Sequence, residues 1–353
     1  MSRLRWMWLL PVLGMAGCEP FTAWFDYAAD DPKLQYVGRM DFSVPNDPTE
    51  PQGPRYAFPG TTVRFRCNCT GVDVAFKDLG TGDAQNTINF VNVIVDGKTE
   101  ATVELKRGDP QILKGARNLM KGEHTIEIVK RTDSAAGTVQ FIGVSLQGIM
   151  LDPPPPPEKR LEFIGDSVTC GYGNELRIDD PKYIGYRSKN QDISKAYGSL
   201  LGRRFNAEVF HTCLQGRGIY RDTAGDTNQA LPPFYPRLFP DADDSPRWDF
   251  EQFVPDVIVI NLGLNDFSTP DESGLPTAPS DPQAFKDAYA AFIRELFMYY
   301  QTNPNLQIVC AVGPMLNDFY PEKRAHWTRI QQYVSEMVEE VRAAGYTNVH
   351  YFA

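Results

Sequence analysis

The chain has 353 residues, 42% of them hydrophobic and 12% aromatic, which is enough apolar material for more than one buried core. Its 45 acidic residues outweigh 35 basic ones, for a formal net charge of −10, and this balance excludes an electrostatic case for binding nucleic acid.

The first stretch sets the compartment. Arg3 and Arg5 precede an apolar run over residues 6–15 that is too short to cross a bilayer, and Met15, Ala16 and Gly17 lead directly to Cys18. This pattern predicts a lipoprotein signal peptide over residues 1–18, with cleavage before Cys18 and lipidation of its thiol, so that an exported protein is held on a bacterial membrane surface. A plain secretory signal with an incidental cysteine is the alternative, and it too predicts export.

Residues 30–150 read as a β-sandwich. Alternation of period two runs through Val63, Phe65 and Cys67, and Asp96-Gly97 after residues 91–95 is a hairpin signal before the chain resumes at residues 101–105. Residues 124–130 and 138–146 supply two further strands, with Lys121-Gly122 and Ala136-Gly137 as turns. Six cysteines leave five once Cys18 is spent, and an odd count in an exported chain implies a free thiol or a partner elsewhere. Cys67 and Cys69 flank one residue, share a strand face and are expected not to bond each other. No spacing suits a metal, and Cys170, Cys213 and Cys310 are expected to be buried, inert thiols.

Residues 151–158, with prolines at every position from 153 to 157, read as a stiff linker that neither extends a strand ladder nor enters a helix. From 159 to 353 the pattern switches to strands alternating with helices: strands at 161–164, 207–212, 256–262, 306–312 and 348–352. A helix from Pro282, capped by Asp281, buries Phe285, Ala288, Tyr289, Phe292 and Leu296, and another carries the stripe Ile330, Val334, Met337 and Val341 before Gly345. The expected fold of this half is a doubly wound parallel sheet of the flavodoxin-like kind, whose chemistry sits outside the carboxyl ends of its strands.

Three clusters fall at those ends. Ser167 follows the first strand by a Gly-Asp turn, which puts its hydroxyl at the rim of the sheet beside backbone N–H groups. Gln215-Gly216-Arg217-Gly218 follows the second strand, and its glycines let the backbone approach a ligand. Asn261-Leu262-Gly263-Leu264-Asn265-Asp266 follows the third, where the Asn265 amide can donate to the same oxygen. Each alone reads as a turn; in order at successive strand ends they point to acyl transfer.

With those blocks the second half resembles an SGNH, or GDSL-type, hydrolase. The segments Tyr36-Val37-Gly38-Arg39, Gly122-Glu123-His124, residues 129–132 and residues 163–173 extend the resemblance to carbohydrate esterase family 2, acetyl-xylan-type esterases with a jelly-roll domain ahead of the SGNH domain. The resemblance implies Ser167 as nucleophile and the Ser167 N–H, the Gly216 N–H and the Asn265 side chain as oxyanion hole. It further implies removal of O-acetyl groups from acetylated polysaccharides with no metal or organic cofactor. Gly165 to Thr169 is not Gly-x-Ser-x-Gly, which disfavours the α/β-hydrolase elbow.

Two departures stand out. Gln215 occupies a place where the second block usually has Ser, and no segment reads Asp-x-x-His, the fourth block that follows the fifth strand in the family. His124, His211, His326 and His350 are each expected to be structural rather than the base. Two expectations remain open: a chain that continues beyond Ala353 into that block, or a degenerate esterase that keeps only glycan binding.

Overall fold

The computed structural model describes residues 23–43, 50–82, 86–177, 179 and 185–353. The expected signal peptide and the expected lipidation site at Cys18 lie outside the described residues. The first half is an antiparallel sheet built from β1 (Trp24–Ala28), β2 (Gln35–Val37), β3 (Arg55–Tyr56), β4 (Thr62–Asp78), β5 (Phe90–Val95), β6 (Lys98–Glu104), β7 (Gln111–Arg117), β8 (Glu123–Lys130) and β9 (Val139–Leu151). Its main path runs β1-β9-β4-β8-β5-β6, with β2 and β7 also on β4 and β3 also on β9.

The spine is β4, whose alternating Val63, Phe65, Cys67 and Cys69 are buried while Arg64, Arg66 and Asn68 are not. Those side chains meet Val93, Ile126, Ile128, Phe141 and Leu146 in one apolar core. Asp96 and Gly97 both take positive φ, 51° and 81°, the backbone that a tight two-residue hairpin between β5 and β6 demands.

Cys67 and Cys69 are joined by a disulfide, contrary to the sequence expectation. Both side chains lie on the buried face, their Cα atoms are 5.5 Å apart, and the ladder loses its regular register just beyond, between Cys69 and Gly71. That separation lies within the range a disulfide bridges.

Residues 152–158 have no regular structure. Beyond them come β10 (Lys159–Gly165), α1 (Tyr197–Phe205), β11 (Ala207–Cys213), β12 (Val257–Asn261), a two-residue hairpin of β13 (Thr269–Pro270) and β14 (Pro276–Thr277), α2 (Pro282–Tyr299), β15 (Gln307–Ala311), α3 (His326–Ala343) and β16 (Val349–Phe352). The five long strands are all parallel, in the order β11-β10-β12-β15-β16, which is the flavodoxin-like arrangement. One crossover departs from strict strand–helix alternation. The chain between β11 and β12 forms only short 3-10 turns and packs Leu231, Phe234, Tyr235, Trp248 and Phe253 into the core in place of a helix.

The two halves are bonded through buried polar groups. Arg39 of the first half donates to Glu162 of β10 at 3.2 Å, with both side chains almost wholly buried. Elsewhere along the contact, Arg131 donates to the carbonyls of Gln191 (2.6 Å) and Lys189 (3.0 Å), and Asn92 donates to Asp192 at 2.9 Å. Residues 190–192 in turn hold the segment behind Ser167: the Gln191 amide donates to the Cys170 carbonyl (2.9 Å), and the Gly173 N–H to that of Asn190 (3.1 Å).

Candidate active site

Three strand ends converge at one rim. Gly165 of β10 is paired with Cys213 of β11 on one side and with Asn261 of β12 on the other, so the chains that follow leave the sheet side by side. Only glycine fits at 165, because a Cβ there would stand 2.0 Å from Thr169 Oγ1 and 2.8 Å from the Asn261 carbonyl.

The half-buried Ser167 lies in a turn closed by the Cys170 N–H on the Asp166 carbonyl (3.0 Å) and the Tyr172 N–H on the Ser167 carbonyl (2.9 Å). Asp166 accepts from the Val168 N–H at 2.9 Å. Across the rim Gly216 takes φ 74°, a conformation that costs a residue with a Cβ but not glycine. Asn265 connects the two, since its carboxamide nitrogen donates to the Arg217 carbonyl at 2.9 Å and lies 3.4 Å from Asp166 Oδ2. The structure therefore brings the neighbours of Ser167 and of Gly216 onto one buried amide.

Asp266, which the sequence reading gave no role, anchors the loop. Its carboxylate accepts the N–H groups of Ile219 (2.9 Å), Tyr220 (2.7 Å) and Arg221 (2.9 Å), while the Arg221 guanidinium donates to its carbonyl. The signal was the Asn265-Asp266 pair itself, where a short acid beside a donor has only nearby loops to serve. Burial raises both acids, Asp166 to about 7 with the Asp266 charge adding to it, and Asp266 to about 6 against the pull of its three N–H donors. A shallow cleft beside Ser167 is lined by Asp166, Val168, Asn261, Leu264, Leu316 and Ile330.

Cys170 and Cys213 are not inert thiols: they form a disulfide, with Cα atoms 5.6 Å apart. Gly165 is the register partner of Cys213 and stands five residues before Cys170, so the turn after β10 folds Cys170 back over the end of β11. Among the described residues Cys310 is the free thiol, buried and raised to about 12 by that burial.

His124, His211 and His350 hydrogen-bond elsewhere. His124 lies between Asp96 (2.7 Å) and the Met120 carbonyl (2.8 Å) in the first half. His211 is stacked on Phe163 and 3.3 Å from Ser199 Oγ, and burial lowers it to about 3, so it is neutral. His326 opens α3 with its ring edge-on to Phe267, and His350 bonds Gln307 at 2.8 Å. Among the described residues no group of three or more His, Cys, Asp or Glu is arranged to hold a metal.

Comparison with known proteins agrees with this architecture. The Carbohydrate esterase 2 N-terminal family matches residues 36–155, and the GDSL-like Lipase/Acylhydrolase family matches residues 163–353. A family two carbohydrate esterase from Clostridium thermocellum, solved in complex with cellohexaose, superposes with a TM-score of 0.76 at 32% identity, over 90% of this chain and 87% of that one. The chain belongs to carbohydrate esterase family 2.

Among curated relatives of this family member, the cellulase/esterase CelE of Acetivibrio thermocellus is 32% identical over 336 residues, which is 91% of this chain but 35% of CelE. An acetylxylan esterase / glucomannan deacetylase of Cellvibrio japonicus is 27% identical over 82% of this chain and 74% of its own length. The chain thus spans about a third of CelE and about three quarters of the Cellvibrio enzyme. By family it is a GDSL-type carboxylic-ester hydrolase.

Proposed function

We propose that the chain is a carbohydrate O-acetyl esterase that removes acetyl groups from polysaccharides, with Ser167 as its nucleophile. The observation that carries the reading is the Asn265 carboxamide, held by the Arg217 carbonyl between the Ser167 turn and the Gly216 loop. Its 3.4 Å contact to Asp166 is long for a hydrogen bond, so that N–H is the one a developing oxyanion would capture.

In the proposed reaction Ser167 Oγ attacks the acetyl carbonyl carbon. The carbonyl electron pair moves onto oxygen, and the resulting oxyanion accepts hydrogen bonds donated by the N–H groups of Ser167 and Gly216 and by the Asn265 amide. Collapse breaks the bond to the sugar oxygen, which departs as a free hydroxyl with the proton taken from Ser167, and water then attacks the acetyl-enzyme to give acetate and free Ser167. By the resemblance, the base that takes the Ser167 proton belongs to the Asp-x-x-His block after the fifth strand, here β16, and the given sequence does not contain that block. The relatives named for acetylxylan and glucomannan support an acetylated plant polysaccharide as substrate.

The test is acetate release from 4-nitrophenyl acetate and from acetylated xylan. Ser167→Ala is expected to lower kcat on both by at least about 10³-fold without changing the fold. Equal turnover by the variant would remove Ser167 as the nucleophile, whereas polysaccharide binding with no acetate released by the parent would replace the reading with a glycan-binding role.

The proposal includes export and a lipid anchor at Cys18, supported by the Arg3, Arg5 and small-residue pattern ahead of it and by disulfides of the kind that persist in oxidising compartments. Cells expressing the chain are expected to incorporate radiolabelled palmitate into it. Label retained in Cys18→Ser would place the anchor elsewhere, and label absent from the parent would leave a plain secreted protein.

A further inference from the structure

The Cys170–Cys213 disulfide crosses the site at a specific point. Cys170 stands three residues after Ser167 and Cys213 three residues before Gly216, so the bond joins the two short segments that carry the proposed nucleophile and the proposed oxyanion donor. Beyond the last paired residues of β10 and β11, few other ties connect these segments. The Leu214 N–H donates to the Gly165 carbonyl at 2.9 Å, and Asn265 bridges Asp166 and Arg217. Both cysteines are fully buried, at 0% exposure, so the bond is shielded from solvent thiols.

Each side of the bond is rigid. The Cys170 carbonyl is held by Gln191, and the Cys170 N–H closes the Asp166 turn, so displacing Cys170 moves the backbone that bears Ser167. On the other side, the Gly216 carbonyl accepts the Thr223 N–H at 3.0 Å, and Asp266 gathers the N–H groups of residues 219–221, so this loop moves as one body. A covalent link between two such bodies fixes the distance from hydroxyl to amide, which strand pairing alone fixes only as far as Gly165 and Cys213.

We infer that Cys170 and Cys213 are positioning residues for catalysis, a clasp that sets the Ser167 hydroxyl against the Gly216 N–H. The inference rests on the reading of Ser167 and Gly216 proposed above. It assigns the cysteines no contact with substrate. Breaking the clasp acts on the transition state, where alignment matters most, and leaves the binding of the sugar nearly untouched.

The test compares Cys170→Ala/Cys213→Ala with Cys67→Ala/Cys69→Ala, which removes a disulfide of the other half. The first pair is expected to lower kcat on 4-nitrophenyl acetate by about 10- to 100-fold with KM within about 2-fold, and the second to change neither. Amide hydrogen exchange, which needs no turnover, is expected to accelerate at residues 167–173 and 214–219 in the first pair while β12 stays protected. Unchanged kcat and unchanged exchange at those residues would overturn the inference, as would an equal loss in both pairs. If the alanine pair fails to fold, Cys170→Val/Cys213→Ala refills the volume and is read the same way, and failure of both to fold identifies a purely structural bond. A parent that releases no acetate while the exchange result holds refutes the proposed function and leaves the clasp standing.

Discussion

Asp166 sits beside the proposed nucleophile with its carboxyl raised to about 7, and burial is the main cause. A buried acid that holds its proton more tightly than in the unfolded chain contributes stability that is complete below about pH 4 and is lost as pH rises through about 7. Asp266 adds a smaller effect of the same sign, ending near its value of about 6, because three backbone N–H groups favour its ionised form. Above pH 7 Asp166 is a carboxylate that can draw on the Asn265 amide; below it, that pull is gone. Asp166→Asn keeps an acceptor for the Val168 N–H but cannot titrate. The parent is therefore expected to lose stability relative to this variant between pH 4 and 7, by at most about 4 kcal/mol over roughly three pH units. Melting temperatures of both proteins across that range check it. Parallel curves would mean that Asp166 does not hold its proton.

At the level of elements, patterning made legible what periodicity and caps determine. Asp281 does cap α2, accepting from the N–H groups of Gln283 (2.9 Å) and Ala284 (3.2 Å), with Pro282 in the first turn. The stripe Ile330, Val334, Met337 and Val341 is the buried face of α3, joined by Tyr333 and Val338. Asp96-Gly97 turns the hairpin for the reason the dipeptide suggested. Elements whose stability comes from partners distant in sequence were not legible. β7 alternates weakly, with Ile112 and Lys114 both exposed, and is held by pairing to β4. α1 buries little beyond Gly198 and Gly202, at points where the helix backs closely onto Phe163 and Val209. The site shows the same division. Gly-Asp-Ser, Gly216 and Asn265 were legible only together, because each alone reads as a turn and it is their order at successive strand ends that points to one rim. The disulfide was missed because spacing along the chain says nothing about two cysteines whose meeting depends on the register of β10 with β11.

For the whole molecule, the decisive contact is the buried pair that fastens the antiparallel half to the parallel sheet. Glu162 is fully buried in β10, and its oxygens accept from Arg39 (3.2 Å), Thr212 (2.6 Å), Tyr235 (2.9 Å) and Tyr300 (2.7 Å). The Arg39 guanidinium also donates to the Tyr235 carbonyl and lies 4.5 Å from the Tyr235 ring centroid, 5.4 Å from Phe58, 5.5 Å from Phe250 and 5.7 Å from Trp248. Three of those rings belong to the non-helical crossover between β11 and β12, so one arginine organises the first half, β10 and the segment that replaces a helix. A buried pair of this kind need not stabilise the protein relative to an apolar substitute, but removing one partner leaves an uncompensated charge. Arg39→Met is expected to cost about 3 to 5 kcal/mol, because three hydroxyl donors remain on Glu162 without a cation. Adding Glu162→Gln removes the stranded charge and is expected to recover part of that loss. Urea unfolding of the parent, the single variant and the double variant checks both steps. Unfolding of the parent in one transition and of Arg39→Met in two would show that this pair couples the halves. A loss under about 1 kcal/mol, or a double variant that recovers nothing, would assign the coupling instead to the Arg131 and Asn92 contacts with residues 189–192.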